Sequence, residues 1–275
     1  MAVSPTTRTH ADIAGQFERD GFVCPLTVMS EDQAHGYREQ FEDAENRFGD
    51  QETFRQCLRR YPNLLLPFVD EISRAPQITD IIAAILGPDL LVLDAPFFIK
   101  EADSESFVSW HQDLHYWGLD TEEEVTAWVA LSPATTRSGC MRFMSGSQAQ
   151  KVEHRDTFAD NNLLSRGQEV SVAVAESEAV EAQLRPGQMS IHHGRVFHAS
   201  HPNQTSARRI GLAIRYLPTR ARQSAGGQMA AMLVRGQDKY RNFPHCLQPS
   251  GLMLAQDIQH WSDVADARNT VLLNK

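Results

Sequence analysis

Apolar residues recur at three- and four-residue spacing through the first third of the chain, which predicts amphipathic helices. One short helix is predicted over residues 13–21. A longer one is predicted over 34–48, after a capping box formed by Ser30 and Gln33. A further helix is predicted over 76–87, because proline favours a first helical turn and glycine follows a last one.

Beyond residue 87, short runs rich in β-branched and aromatic residues replace the helical spacing, with turn formers between them. No long helical pattern alternates with these runs, which argues against a parallel βαβ sheet. The pattern therefore predicts a mainly β fold with flanking helices, in which a double-sheet jelly roll packs on the helices. The predicted strands are residues 90–93, 97–100, 107–112, 125–132, 140–144, 170–175, 189–192, 196–199 and 209–217.

No repeat and no linker divides the chain, so a single domain is predicted over residues 1–275. The polar and aperiodic segment 151–167 is predicted to be a long insertion over one mouth of the barrel. The end of the chain is expected to become weakly helical from about residue 257. The predicted parts are a helical N-terminal part at about 10–88, a jelly-roll core at about 89–218 and a C-terminal extension at 219–275.

Charge and composition argue against several classes of protein. The net charge is −9 and no run is rich in Lys and Arg, so binding to nucleic acid is not expected. No stretch approaches 18 apolar residues, so no membrane span is expected, and residues 1–15 lack the pattern of a secretory signal. The cysteines are scattered without a Cys-x-x-Cys pair, which predicts reduced thiols in a cytoplasmic protein. They are Cys24, Cys57, Cys140 and Cys246.

The pattern His-x-Asp occurs three times, and one copy lies where it would build a metal site. His10-Ala11-Asp12 opens the first predicted helix, where the aspartate most simply caps that helix. His154-Arg155-Asp156 lies in the polar insertion and is interpreted as a solvated charged loop. His111-Gln112-Asp113 closes a predicted strand, on which residues two apart point to the same side and can bind one ion. On its own, a buried histidine bonded to a neighbouring carboxylate would explain this copy better than a metal.

His111 and His115 also form an H-x-x-x-H pair, the spacing that zinc peptidases place on a helix. That motif needs a glutamate after the first histidine to act as general base, and the residue here is Gln112. The surrounding β pattern also argues against a helix. A zinc peptidase is therefore a weak alternative.

Residues 187–216 contain four more histidines and a predicted strand with two unlike faces. One face of this strand is apolar and consists of Ile210, Leu212, Ile214 and Tyr216. The other face carries small or charged residues and consists of Arg209, Gly211, Ala213 and Arg215. Two small residues between two arginines leave room for a ligand that both arginines can grip. An edge strand with two solvated arginines is the alternative. Among the histidines at 192, 193, 198 and 201, His198 is best placed to bring a metal into the same pocket.

Six segments follow one another along the chain, namely Trp110-His111-Gln112-Asp113, Ser138-Gly139-Cys140-Met141, Leu184-Arg185-Pro186-Gly187, His192-His193-Gly194-Arg195, His198 and Arg208-Arg209-Ile210-Gly211. Taken in order, these segments resemble the phytanoyl-CoA dioxygenase (PhyH) family from about residue 15 to 218. The ordered set is far more specific than any single motif. Where family members often carry Pro-Gly-Ser-His, this chain has Ser145-Gly146-Ser147-Gln148, a loop difference that leaves the chemistry intact.

The resemblance implies a dioxygenase with a double-stranded β-helix, cupin-like fold that requires Fe(II), 2-oxoglutarate and O₂. It implies that His111, Asp113 and His198 bind the metal and act in catalysis. It further implies that Arg209 binds the distal carboxylate of 2-oxoglutarate and that the pocket for this cosubstrate is lined by Trp128 and Ser200. The expected reaction is hydroxylation with release of succinate and CO₂.

Asp113 also bears on the type of oxidation. Related halogenases carry Ala or Gly at the carboxylate position, so Asp113 favours hydroxylation or another oxygen-ligated outcome such as desaturation. A non-catalytic cupin-like protein that binds a small acid and a metal-dependent hydrolase remain as alternatives of other classes.

The expected substrate is a small polar metabolite that can be anionic, and nothing points to coenzyme A. Two groups of candidate residues also have an explanation other than substrate binding. A lysine at the end of a strand can simply be solvated, and an aromatic pair beside the metal motif can simply pack. The oligomeric state does not follow from the sequence. The candidate substrate residues are Lys100, His115, Tyr116, Trp117 and Arg215.

Overall fold

The computed structural model describes residues 8–224 and 229–273, and their side chains except at 116 and 270–273. The helices are α1 (His10–Asp20), α2 (Glu31–Phe48), α3 (Glu52–Cys57), α4 (Pro67–Arg74), α5 (Pro76–Leu86), α6 (Leu114–Trp117) and α7 (Ala255–Leu273). The strands are β1 (Phe22–Thr27), β2 (Leu90–Asp94), β3 (Phe97–Lys100), β4 (Val108–His111), β5 (Val125–Ala130), β6 (Met141–Phe143), β7 (His154–Asp156), β8 (Gln168–Val170), β9 (Val180–Ala182), β10 (Gln188–His193), β11 (His198–Ser200), β12 (Arg209–Pro218) and β13 (Met232–Arg235).

The predicted helices form where their end signals place them. α1 begins at a capping box in which Thr9 and Asp12 exchange hydrogen bonds, and it ends at Gly21, whose φ is 79°. Asp12 therefore completes a cap that Thr9 provides. The predicted capping box of Ser30 and Gln33 opens α2. α3 and α4 lie between the predicted helices and were not predicted.

Two antiparallel sheets form the barrel. The larger sheet has the strand order β1-β10-β5-β12-β2-β13, and β3 pairs with the first half of β12. The smaller sheet has the order β4-β11-β6-β9. Side chains from both sheets, such as Trp128 and Phe143, pack into one apolar cluster between them. This arrangement confirms the predicted jelly roll with flanking helices.

β12 shows how the alternation of residues builds both the core and the pocket. Its apolar side chains, such as Ile210 and Ile214, pack in the main core with residues of α1, α2, α4 and α5. Its other side chains, such as Arg209 and Ala213, face the space between the sheets and line a pocket there. The helices thus cover the outside of the larger sheet and leave its inner face for ligands.

The insertion differs from its prediction. Residues 154–156 and 168–170 pair as β7 and β8, so the segment 151–167 contains a strand. The strand predicted over 170–175 is wrong, because only Val170 belongs to a strand and residues 171–175 are mostly exposed. β9 and β13 were also missed. Short, largely exposed strands such as β7 bury no continuous face, so they leave no clear periodicity in the sequence.

The end of the chain forms α7, which begins close to the predicted start of helical structure. Trp261 and Val264 of α7 are buried in the main core. All four cysteines are unpaired thiols. Among the described residues, no helix is both long enough and apolar enough to cross a membrane.

Candidate functional site

The pairing of β4 with β11 places two imidazoles side by side. His111 is the register partner of His198, and their ring centroids lie 4.0 Å apart. Asp113 follows the end of β4 and has helical backbone angles, φ −63° and ψ −47°, because the chain turns there into α6. Asp113 therefore does not continue the strand as predicted. The turn nevertheless directs its carboxylate back toward the histidines.

The three side chains can bind a single ion. His111 Nε2 lies 3.4 Å from Asp113 Oδ1, and His198 Nε2 lies 4.0 Å from Asp113 Oδ2. One ligand atom from each residue lies within 4.8 Å of the other two, and all three residues are buried. Two imidazoles and one carboxylate on a single face are a donor set that suits a non-haem iron ion and leaves its other positions open.

Backbone carbonyls hold each imidazole in the orientation that metal binding requires. His111 Nδ1 lies 2.9 Å from the carbonyl of Ser109 and 3.1 Å from that of His198. His198 Nδ1 lies 3.0 Å from the carbonyl of Val196. A carbonyl only accepts hydrogen bonds, so both Nδ1 atoms carry a proton, and in the neutral imidazoles that bind a metal the Nε2 atoms are the ones that offer a lone pair.

Burial and nearby charges keep Asp113 and His198 in their ligand forms. Burial would raise the pKa of Asp113, but the imidazoles of His111 and His192 and the charge of Arg215 outweigh it. They hold the pKa of this carboxyl well below its usual range. Burial, reinforced by His111, holds the pKa of His198 well below its usual range. Asp113 is therefore an anion and His198 neutral at physiological pH, as a metal site needs.

Arg209 enters the pocket as an unpaired cation. It is 1% exposed, and its Nη1 donates to the carbonyl of Gly139 at 2.6 Å, while its Nε has no hydrogen-bond partner. No ion pair joins it to a carboxylate within residues 8–224 and 229–273. Burial lowers the pKa of this guanidinium to about 10. A buried cation without a counter-charge is costly, which indicates that an anionic ligand binds here.

Lys100 lies beside Arg209 and is not a solvated strand end. The two are register partners across β3 and β12, and Lys100 is 0% exposed. Lys100 Nζ donates to Ser200 Oγ at 2.7 Å and to the carbonyl of His201. Burial and the charge of Arg209 lower the pKa of this amine to about 6. Lys100 and Ser200 thus extend the donor group around Arg209.

Trp128 closes the side of this pocket. Its ring lies under the Arg209 guanidinium, with 5.1 Å between the guanidinium carbon and the ring centroid. A Cβ added at Gly211 would come within 1.9 Å of the indole. Gly211 is therefore the residue that makes room for Trp128, which gives the small residue on this strand face a physical reason.

The candidate substrate residues separate into different places. Arg215 lines the same pocket as the metal residues, and the Trp117 ring packs on its guanidinium at 4.5 Å. Lys100 belongs with Arg209 instead. The ring of His115 packs against that of His154, with centroids 4.3 Å apart, so it faces the insertion. The side chain of Tyr116 lies outside the described residues.

His154 and Gln112 connect the insertion to the metal strand. The backbone N–H of Gln112 donates to His154 Nε2 at 2.9 Å, and the Gln112 amide donates to the carbonyls of Gln150 and Arg195 at 2.6 Å each. Burial lowers the pKa of His154 to about 4. The interpretation of His154 as part of a solvated loop is therefore wrong, because its imidazole is a half-buried acceptor next to the site.

Two further polar residues of the site were missed in the sequence. His192 is 1% exposed, and its ring lies 4.5 Å from that of His198 between centroids. Glu124 is equally buried and accepts a hydrogen bond from Thr126 at 2.7 Å. Burial and the charge of Asp113 raise the pKa of Glu124 well above its usual range. The alternation of β10 places His192 on an inner face, which is the signal that identifies it.

Comparisons with known proteins agree with this geometry. A family model described as Phytanoyl-CoA dioxygenase (PhyH) matches residues 17–211. Over 192 residues the chain is 26% identical to a protein of Stutzerimonas stutzeri described as a probable alpha-ketoglutarate-dependent hypophosphite dioxygenase. That match covers 66% of this chain and 66% of that protein, slightly less than two thirds of its length.

Two solved structures of a non-heme monooxygenase, ThoJ, are similar over nearly the whole chain. The apo form is 31% identical, with a TM-score of 0.86, over 95% of this chain and 98% of that one. The nickel complex is 30% identical, with a TM-score of 0.81, over 95% of this chain and 99% of that one. Both the fold and the presence of a metal-binding centre are therefore features of similar proteins.

Proposed function

The chain belongs to the phytanoyl-CoA dioxygenase (PhyH) family, and on this premise we propose that it is an Fe(II)- and 2-oxoglutarate-dependent dioxygenase that hydroxylates a small polar metabolite. The observation that carries the proposal is a single pocket lined by His111, Asp113, His198 and Arg209. It combines three ligands for a metal with a buried cation for an anionic cosubstrate. We also propose that the described structure belongs to one oxygenase domain spanning residues 1–275, and that the protein acts in the cytoplasm.

His111, Asp113 and His198 would hold the iron through their Nε2 atoms and a carboxylate oxygen. The iron, when bound with 2-oxoglutarate, supplies the chemistry that activates O₂. In the overall reaction a substrate R–H, 2-oxoglutarate and O₂ give R–OH, succinate and CO₂. The protein contributes fixed ligands, because the carbonyls of Ser109 and Val196 hold both imidazoles in place.

Arg209 would bind the distal carboxylate of 2-oxoglutarate, with Trp128 and Ser200 beside it. The buried guanidinium is unpaired and its Nε is without a partner, so a carboxylate would satisfy both its charge and its donors. Lys100 is assigned to this end of the pocket and no longer to the substrate, because it adjoins both Arg209 and Ser200.

The chemistry of the metal ligands favours hydroxylation over halogenation. Asp113 is present and ionised, so with the metal bound it would fill the ligand position that an exogenous anion needs. Desaturation and other oxidations on the same scaffold remain as second outcomes, because they use the same ligand set. A small anion as substrate is supported by the relative described as a hypophosphite dioxygenase.

The test is turnover of 2-oxoglutarate. Anaerobically purified protein is loaded with Fe(II), mixed with 2-oxoglutarate and air-saturated buffer, and assayed for succinate, alone and with hypophosphite. We expect slow succinate formation without substrate, lost in His198→Ala. A binding protein without activity would bind 2-oxoglutarate and give no succinate, and a metal-dependent hydrolase would do neither.

A further inference from the structure

Three polar side chains form a row across the inner face of the larger sheet. The register pairs His192 of β10 with Thr126 of β5, and Thr126 with Arg215 of β12. All three line the pocket of the metal residues. Arg215 lies six residues from Arg209 along β12, about 20 Å in an extended strand. The row is therefore separate from the group around Arg209.

The row borders the metal ligands directly. His192 Nε2 lies 3.8 Å from Asp113 Oδ2, and the His192 ring is next to that of His198. The Phe143 ring also packs on His192, with centroids 5.3 Å apart. A molecule held by the row would consequently lie within reach of the metal centre.

The two ends of the row carry buried polar atoms without partners. Both ring nitrogens of His192 and Nε of Arg215 are buried and make no hydrogen bond. The Thr126 hydroxyl, in contrast, donates to Glu124 Oε1. Buried polar groups are almost always paired in folded proteins, so unpaired atoms at both ends of one row indicate a ligand that completes them.

The charge of Arg215 is only partly balanced. Among the described residues the nearest carboxylate is that of Asp94, 4.0 Å away, and Arg268 already pairs with it at 2.8 Å. The charge of Arg215 also acts on the buried carboxyls of Asp113 and Glu124, but it forms an ion pair with neither. The other oxygen of Asp94 accepts hydrogen bonds from the backbone N–H groups of Tyr61 and Ala95. The charge of Asp94 is thus already paired with that of Arg268, although its Oδ2 makes no hydrogen bond. Trp117 shields the face of the Arg215 guanidinium from water.

We infer that His192 and Arg215 form an anion-binding subsite for the primary substrate, which is a small molecule with an anionic oxygen group such as a carboxylate, phosphinate or phosphonate. This inference rests on the proposed function, because it places the substrate beside the metal of a dioxygenase. Arg215 supplies the charge and a planar pair of donors, and His192 supplies one further hydrogen bond. Both residues position the substrate and neither is assigned a step in the reaction.

Calorimetric titration of the anaerobic Fe(II) protein tests the inference in two steps. 2-Oxoglutarate is titrated first, and absence of binding would overturn the proposed function itself. With 2-oxoglutarate saturating, acetate, methylphosphonate and neutral acetamide are then titrated separately. We expect at least one of the two anions to bind and acetamide not to bind. If 2-oxoglutarate binds and neither anion does, the subsite is not an anion site.

Substitutions then test whether Arg215 and His192 are the residues that bind the anion. Arg215→Met should weaken binding of the anion about tenfold or more and change the dissociation constant of 2-oxoglutarate less than about twofold. Arg185→Met, which removes an exposed arginine, should change neither. If Arg215→Met no longer binds 2-oxoglutarate, the variants Arg215→Lys and His192→Gln are tested in its place. The assignment is overturned if both of these variants bind the anion as tightly as the unmodified protein does.

Discussion

The guanidinium carbon of Arg209 lies 5.1 Å from the centroid of the Trp128 ring, on the inner face of the larger sheet. The ring provides an apolar floor that excludes water and favours a cation above it. No carboxylate of the described chain pairs with this guanidinium. The charge of Arg209 is therefore balanced only when an anion enters the pocket. The contribution of Arg209 to the affinity for 2-oxoglutarate can be measured.

Arg209→Met should weaken 2-oxoglutarate binding on the order of 100-fold, because truncating a buried, charge-paired donor costs about 2–5 kcal/mol. The same change should leave the ligand-free protein as stable as before or more stable, since it removes an uncompensated buried cation. The measurements are calorimetric titration and chemical denaturation. Arg208→Met is the matched control, because Arg208 pairs with Glu45 and Glu101 outside the pocket. Equal loss of affinity in both variants would contradict the role of Arg209.

Gly211→Ala should destabilise the protein by about 1–3 kcal/mol, because the new methyl group would overlap the Trp128 indole. Trp128→Leu in the same chain should recover most of that loss, so the two substitutions should be strongly coupled in a double-mutant cycle. Denaturant unfolding of the four proteins measures this. Gly36→Ala is the control, since its added Cβ meets nothing within 4 Å and alanine favours the helix. Additive effects would show that the two residues do not compete for space.

Much of the site follows from alternation within single strands. The face shared by Arg209, Gly211 and Ala213 is a period-two pattern, and in the structure Arg209 and Ala213 line the pocket. Helix ends likewise follow from local signals, as in the capping box of Ser30 and Gln33. These features depend on neighbours a few residues away, which the sequence displays directly.

Other features depend on contacts between distant segments. Lys100 becomes a neighbour of Arg209 only because β3 pairs with β12, and His154 reaches Gln112 only because the insertion folds back on β4. Asp113 converges on the histidines through a turn into α6, where strand alternation predicts continued extension. Such long-range pairings and local changes of backbone leave no periodic signal in the sequence.

Asp113→Ala should lower the affinity for Fe(II) or Ni(II) on the order of 100-fold or more, because it removes the only carboxylate of the three-residue ligand set. Anaerobic metal titration measures the change. Asp12→Ala is a matched control from another His-x-Asp copy, and it should lose only part of the α1 cap. Metal affinity that is equal in Asp113→Ala and the unmodified protein would place the metal elsewhere.

Lys100 should make 2-oxoglutarate binding depend on pH. Burial and Arg209 lower its pKa to about 6, so the amine is mostly neutral at pH 7.5 before the ligand binds. An incoming carboxylate beside it favours the charged form and raises that pKa, so binding takes up a proton. The affinity should therefore fall as the pH rises above about 6, by at most tenfold per pH unit, up to the pKa in the complex.

The pH dependence is measured as the dissociation constant of 2-oxoglutarate between pH 6.5 and 9, in buffers with different ionisation enthalpies that report the proton uptake. Lys100→Met should flatten the profile and abolish the uptake. Lys151→Met, at an exposed lysine, should leave both unchanged. If the affinity of Lys100→Met changes with pH as steeply as that of the unmodified protein, the proton enters another group. Lys100 is then either charged before 2-oxoglutarate binds or out of reach of its carboxylate.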